Sequence, residues 1–158
     1  MQCSPLGLLL GTYSLGYENL RRNAHGFFLE LQYADRKDPN GNLLKVKGYA
    51  LNYRYHLKGQ PNSNFVGVYF RRSEVDGALA VDDATYAYHF RAASVGPLYG
   101  SCHVSKKGVS LTWRVGYGIP FFDFAWKSAS LPEHHGLYEG IFKWTSNLES
   151  GLSLGYSF

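Results

Sequence analysis

The sequence predicts an all-β chain, an eight-stranded antiparallel up-and-down transmembrane β-barrel that fills residues 1–158 as a single domain. Three observations carry that expectation. The stretch LESGLSLGYSF at residues 148–158 alternates: Leu148, Leu152, Leu154 and Tyr156 are apolar, while Gly151, Ser153, Gly155 and Ser157 are small or polar, and Phe158 closes it. Successive side chains of a strand point to opposite faces, so the segment wants an apolar medium on one side and a crowded or polar space on the other. The composition is β-rich, with 13 Tyr, 18 Gly and only 18% charged residues. Finally, the same two-residue period recurs along the chain in strands of about ten residues, the length a tilted strand needs to cross a hydrocarbon layer. Eight such strands are the smallest set that closes around a filled interior.

Taken in order, Leu9, Tyr13, Leu15 and Tyr17 alternate with Leu10, Thr12, Ser14, Gly16 and Glu18, and RRNAHG turns the chain. Phe27, Leu29, Leu31 and Tyr33 oppose Phe28, Glu30, Gln32 and Ala34, and DRKDPNGN supplies turn chemistry. In the third segment Tyr49, Leu51, Tyr53, Tyr55 and Leu57 oppose Gly48, Ala50, Asn52, Arg54 and His56, and KGQPNSN connects it to Val66, Val68 and Phe70 in FVGVYFRR. SEVDGALAVDD reads as a connection. The run from Thr85 to His103 is long, and Pro97, which lacks the amide proton a ladder needs, predicts a bend near Gly96 and Pro97. After SKKG, the residues Val109, Leu111, Trp113, Val115, Tyr117 and Ile119 oppose Ser110, Thr112, Arg114, Gly116 and Gly118. The segment from Pro120 to His135 reads as irregular. A seventh strand is expected over Leu137–Trp144, with Tyr138, Gly140, Phe142 and Trp144 on one face, followed by the turn SNLES and the terminal strand.

The mean hydropathy is −0.25 and no apolar run reaches the 18 or so residues of a spanning helix, which excludes a helical membrane protein. A barrel survives that test because its inward face dilutes its apolar residues. A soluble lipocalin-type barrel would invert the pattern, with apolar side chains around a ligand and Lys and Glu outside. Here the polar face is Gly, Ala, Ser and Thr with single charges, which suits a narrow packed lumen. Glu18, Glu30, Arg54 and Arg114 fall on that face, and because unpaired charge in a narrow interior is costly they are expected to pair. Leu51, Leu111 and Leu154 fall on the lipid face.

The net charge is +4, but the basic residues are scattered rather than clustered, so nucleic acid is not an expected partner. Outer-membrane lipid and lipopolysaccharide are. MQCSPLGLLLG has neither the basic start nor the apolar length of a complete signal peptide, so an exported protein would be in its mature form. Cys3 and Cys102 allow a disulfide, a lipidated Cys3 or two plain thiols. Glu133, His134 and His135 lack a spaced set of further ligands, and neither a metal nor another cofactor is expected.

The segments TYSLGYENL, KGYALNYRYHL followed by NFVGVYFRR, GVSLTWRVGYGIP and SGLSLGYSF resemble the small eight-stranded outer-membrane β-barrel family of diderm bacteria, in which a YRYYL-type strand precedes a YVGPY-type strand. The resemblance implies an integral protein of the bacterial outer membrane with both termini in the periplasm. His103 and Ser105 form a His-x-Ser pair that resembles the outer-membrane lipid A deacylases, whose triad would draw on Glu139; this makes a lipid A modifying hydrolase the alternative function. The leading expectation is a non-enzymatic structural or scaffold barrel. Its long connections carry Phe121, Phe122, Phe124 and Trp126, an aromatic cluster too large to leave in water unpartnered. With Ser73–Asp83 beside it, that cluster is expected to dock another envelope protein through the periplasmic face.

Overall fold

The computed structural model describes residues 2–3, 12–20, 24–37, 42–81, 84–128 and 135–156. The described strands are β1 (Gln2–Cys3), β2 (Thr12–Leu20), β3 (His25–Lys37), β4 (Leu43–His56), β5 (Ser63–Val81), β6 (Ala84–Val104), β7 (Val109–Tyr117), β8 (Ile119–Trp126) and β9 (Leu148–Tyr156), with a helix α1 (His135–Ser146) before β9. Every pairing is antiparallel, in the order β5-β4-β3-β2-β1-β9-β7-β6-β8, and β5 also pairs β6. The sheet therefore curls into a barrel-like form, and between β2 and β9 it is bridged by the two residues of β1.

The two-residue period sets which side chains go in. On β7, Val109, Leu111, Trp113, Val115 and Tyr117 are exposed while Ser110, Thr112, Arg114 and Gly116 are buried. On β3, Phe27, Leu29, Leu31 and Tyr33 are exposed and Phe28, Glu30 and Ala34 are buried. On these strands the inward register is small, polar or charged and the outward one apolar, the reverse of an ordinary globular sheet, while two apolar clusters, one around Phe65 and Tyr69 and one around Tyr88 and Phe90, fill other parts of the interior.

Two strands outrun the expected pattern. SEVDGALAVDD is not a connection: β5 continues through Ser73–Val81 and pairs with the first half of β6, Val81 lying opposite Ala84. Asp82 and Asp83 lie outside the described residues. The segment after Pro120 is likewise not irregular, because Ile119–Trp126 forms β8 along the same half of β6. Pro120 is tolerated as the second residue of a strand paired on one side.

The expected bend near Pro97 also falls elsewhere. β6 runs without interruption from Ala84 to Val104, and it is the partner that breaks, at Gly118 between β7 and β8. The register on that side is the same on both sides of the break, Leu98↔Gly116 and Val95↔Ile119, and a Cβ on Gly96 would overlap the Gly118 Cα, so the two chains stay in close contact there.

The expected seventh strand is the helix α1. Leu137, Ile141 and Trp144 recur at helical spacing, and Tyr138 and Phe142 form a second i, i+4 pair; a two-residue reading has to place Leu137 and Ile141 on the polar face. Phe142 stacks on Tyr88, Phe90 and Phe124, holding the helix against the inner wall of the extended sheet.

That replacement, together with the extra strand β1, changes which rim the chain ends share with the turns. The turns at residues 57–62 and 105–108 lie at the rim shared by Tyr156 and Gln2, whereas the β5–β6 hairpin tip, the end of β8 and α1 lie toward the opposite rim. The aromatic segment and the short turns are therefore on opposite rims from those the sequence implies relative to the chain ends. At the first rim, Gly108 adopts φ 82 and donates its amide to Ser105, a geometry that favours glycine.

A Cβ on Gly140 would meet nothing within 4 Å, so Gly140→Ala is expected to stabilise the protein by about 1 kcal/mol, the helix-propensity difference between the two residues. Denaturant titration checks it. A neutral or destabilising result, with Gly140→Pro tolerated, would restore the strand reading of this segment.

Candidate functional site: the interior charge network

The candidate site is the polar interior, built from the inward register of β2, β3, β4, β5, β7 and β9. β7 contributes Arg114 between Thr112 and Gly116, and its guanidinium donates from Nε to Glu149 Oε1 at 2.9 Å and from Nη2 to Glu30 Oε2. Glu149 comes from the second residue of β9, and its other oxygen accepts from Arg71 Nη1 of β5 at 3.3 Å. Arg71 in turn donates to the carbonyl of Ser146, the last residue of α1, at 2.7 Å. The helix is thereby tied to the barrel interior through one arginine.

A second branch lies nearer the short-turn rim. Arg54 Nη1 stands 3.1 Å from Glu18 Oε2, and the guanidinium is completely buried. Its N–H groups are not aligned as hydrogen bonds on any acceptor among the described residues. Its faces are used instead: Cζ lies 4.1 Å from the Phe28 ring centroid and 4.6 Å from that of Phe65. The same Phe28 ring lies 5.2 Å from Cζ of Arg114, so one aromatic serves both cations. Glu18 also meets His56 Nε2 at 3.3 Å, and His56 Nδ1 lies 3.3 Å from Ser63 Oγ.

The glycines make this arrangement fit. A Cβ on Gly16 would overlap the Phe28 ring, and one on Gly151 would lie 2.7 Å from Cζ of Arg114. Tyr69 completes the seam between sheet and helix, its hydroxyl donating to the carbonyl of Asn147 at 2.8 Å.

The structure thus joins Glu18 to Arg54 and Glu30 to Arg114, and adds to the network Glu149, which the sequence reading missed, and Arg71 and His56, whose parity already places them on the inward face. Glu149 was legible. It shares the parity of Gly151, Ser153 and Gly155, and was passed over because SNLES reads as a turn. Counted over the described ion pairs, three carboxylates, Glu18, Glu30 and Glu149, face three guanidiniums, Arg54, Arg71 and Arg114. Over these pairs the interior charges balance.

The hydrolase residues do not assemble as a triad. His103 and Ser105 are exposed at the short-turn rim, and the Ser105 hydroxyl accepts the Val109 amide at 3.1 Å, closing the turn. Glu139 sits on α1, whose neighbouring Phe142 rests on Phe90. Between Phe90 and His103, β6 rises roughly 40 Å at about 3.3 Å per residue. Cys102 is a free thiol buried in the interior; the side chain of Cys3 lies outside the described residues. Among the described residues no three His, Cys, Asp or Glu side chains gather to hold a metal; Glu133 and His134 lie outside them.

The aromatic cluster is divided between the two faces of β8. Phe122 and Phe124 point inward and pack with Tyr88, Phe90 and Phe142, whereas Phe121 is 61% exposed. The side chain of Trp126 lies outside the described residues. On the outer face at this level stands a collar of ion pairs: Arg91 with Glu74 at 3.1 Å, His89 with Asp76 at 3.0 Å and Lys127 with Asp76 at 2.7 Å. Hydrogen bonds from Lys127 first, then His89, hold the Asp76 carboxyl below its ordinary pKa.

No family model, curated protein or solved structure matches the chain.

Breaking the buried network is expected to cost far more than breaking the collar. Glu149→Gln leaves Arg114 and Arg71 short of a charge partner and should lower unfolding stability by about 3–5 kcal/mol. Arg91→Gln, which removes an exposed pair, should cost under about 1 kcal/mol. Equal losses in denaturant titrations of the two variants would contradict the assignment of the network as the interior's organising contact.

Proposed function

We propose that the protein is an integral outer-membrane β-barrel of a diderm envelope, a non-enzymatic structural component that presents one elaborated rim to another envelope protein. The observation that carries this reading is the inverted burial. Leu51, Val68, Leu111 and Leu154 are 51%, 53%, 43% and 40% exposed, while Arg54, Arg114, Glu30 and Glu149 are buried. Water would penalise such a surface, since soluble monomers seldom expose apolar patches beyond a few hundred Å². A bilayer reverses the sign, and antiparallel barrels with an outward apolar band are the sheet architecture that suits one.

The boundaries of the band support the same reading. Outward of Tyr33, Tyr49 and Phe70 the outward-facing residues change to Asp35, Lys47, Lys45, Arg72 and Glu74, a charged border of the kind expected at the level of lipid head groups. Outer-membrane barrels carry short turns on the periplasmic side. The turns at 57–62 and 105–108 would then face the periplasm, and the rim formed by β5, β6, β8 and α1 would face outward. The docking surface anticipated on the periplasmic face moves with it, to the outer side. The filled, charge-paired interior supports an anchor rather than a pore, because an eight-stranded lumen leaves room for side chains and little else.

Refolding into lipid vesicles tests the reading. The wild type should insert and resist protease, and should show no steady porin-sized conductance in planar bilayers. Leu111→Arg should lose about 2–4 kcal/mol of folding free energy if the residue lies near the midplane. Failure to insert, with a soluble folded monomer instead, would overturn the membrane reading. Porin-like conductance would overturn the plugged interior.

A further inference from the structure

Within the elaborated rim, α1 does not fill the space against the β3–β5 wall. A recess of about 340 Å³ remains between them, walled by Leu43, Leu44, Leu79, Tyr88 and Phe142, with Arg36 and Asn42 also lining it. Phe142 also borders a second hollow of about 180 Å³ set deeper in the barrel. That floor is mixed, with Gln32, Arg71, Ser73, Thr145 and Ser146 beside Val46, Val75 and Phe90. Phe142 borders both hollows, and hydrogen-bonding side chains are more numerous around the deeper one than around the apolar recess at the rim. The upper recess alone falls within the range of small-molecule sites, and barrel mouths are among the places where such sites occur.

We propose that this cavity binds a single-chain amphiphile with an uncharged polar head, the head on the Gln32–Ser73 floor and the alkyl or acyl chain along Leu43, Leu79, Tyr88 and Phe142. The chain is assigned by the walls. The head is assigned by the electrostatics of the floor: Arg71 already serves Glu149 and the Ser146 carbonyl, so a carboxylate would compete with Glu149 for a guanidinium that is spoken for. Neutral donors and acceptors, which Gln32 and Ser73 match, meet no such competition. A branched or two-chain lipid does not suit a recess of this volume closed on one side by α1. Entry is from the rim, so the site does not require the membrane assignment.

The test uses the full chain held in an amphipathic polymer and a monoacylglycerol carrying a photoreactive diazirine near the end of its chain. Mass spectrometry should place saturable adducts on Leu43, Leu44, Leu79 or Phe142. Unlabelled monodecanoylglycerol should compete, decanoate should compete at least tenfold less well, and Leu79→Trp should reduce labelling at least tenfold while Leu51→Trp on the outer band leaves it unchanged. Adducts confined to outer-band residues such as Leu51 and Leu111, indifferent to Leu79→Trp, would overturn the site. Decanoate competing as well as the neutral lipid would overturn the choice of head group. Should Leu79→Trp fail to fold, competition on the wild type decides alone. A chain that fails to insert into vesicles yet labels in the recess would sink the membrane reading and leave this one standing.

Discussion

A buried guanidinium is the constraint on which the rest of this structure depends. Moving a charge out of water costs several kcal/mol even after relaxation, and the cost is recovered only by close, well-satisfied partners. Arg54 and Arg114 are both buried, and each has a carboxylate within ion-pair distance and the Phe28 ring beside it. Those partners come from β2, β3 and β9, so the network can form only if strands distant in sequence are brought to face one another. It fixes closure as much as it fills space.

From that requirement several features follow. Room for the Arg114 guanidinium and the Phe28 ring has to be left by the neighbouring strands, and Gly151 and Gly16 leave it. A polar interior sends the apolar register outward, because the period of a strand is two and the faces cannot be chosen independently. The outward register is then a continuous apolar surface. The helix enters the same scheme through Arg71, which joins Glu149 to the Ser146 carbonyl, and through Tyr69, which reaches the Asn147 carbonyl. The rim and the interior are mechanically one body.

Much of this was legible in the sequence, for a physical reason. Where one face of a strand is apolar and the other small or charged, parity alone assigns in and out; Tyr49–Tyr55, Phe27–Tyr33 and Val109–Tyr117 were read correctly on that basis, as were the inward charges Glu18, Glu30, Arg54 and Arg114. Parity fails where both faces carry the same chemistry. Phe121, Phe122 and Phe124 fall on two faces of one strand, and alternation cannot be seen when every position is aromatic. It fails again for LYEGIFKW, where five apolar residues in eight satisfy a helical period as readily as a two-residue one. That single misassignment propagated to the chain end, since replacing a strand by a helix turns β9 round and brings Tyr156 to the short-turn rim. Recognition of Glu149 was lost to the same local ambiguity, at a boundary where a turn-rich sequence begins a strand.

The central claim is that the outward register of this sheet lies in lipid and the inward one in a packed polar core. Spin labels placed singly from Val109 to Tyr117, in the chain reconstituted in lipid vesicles, measure it most directly through their accessibility to oxygen, which concentrates in the bilayer, and to an aqueous nickel chelate. The account requires a two-residue oscillation, with oxygen favoured at Val109, Leu111, Trp113, Val115 and Tyr117 and both reagents excluded at Thr112 and Arg114. High nickel accessibility at Leu111 and Trp113, with the oscillation reversed or absent, would contradict it.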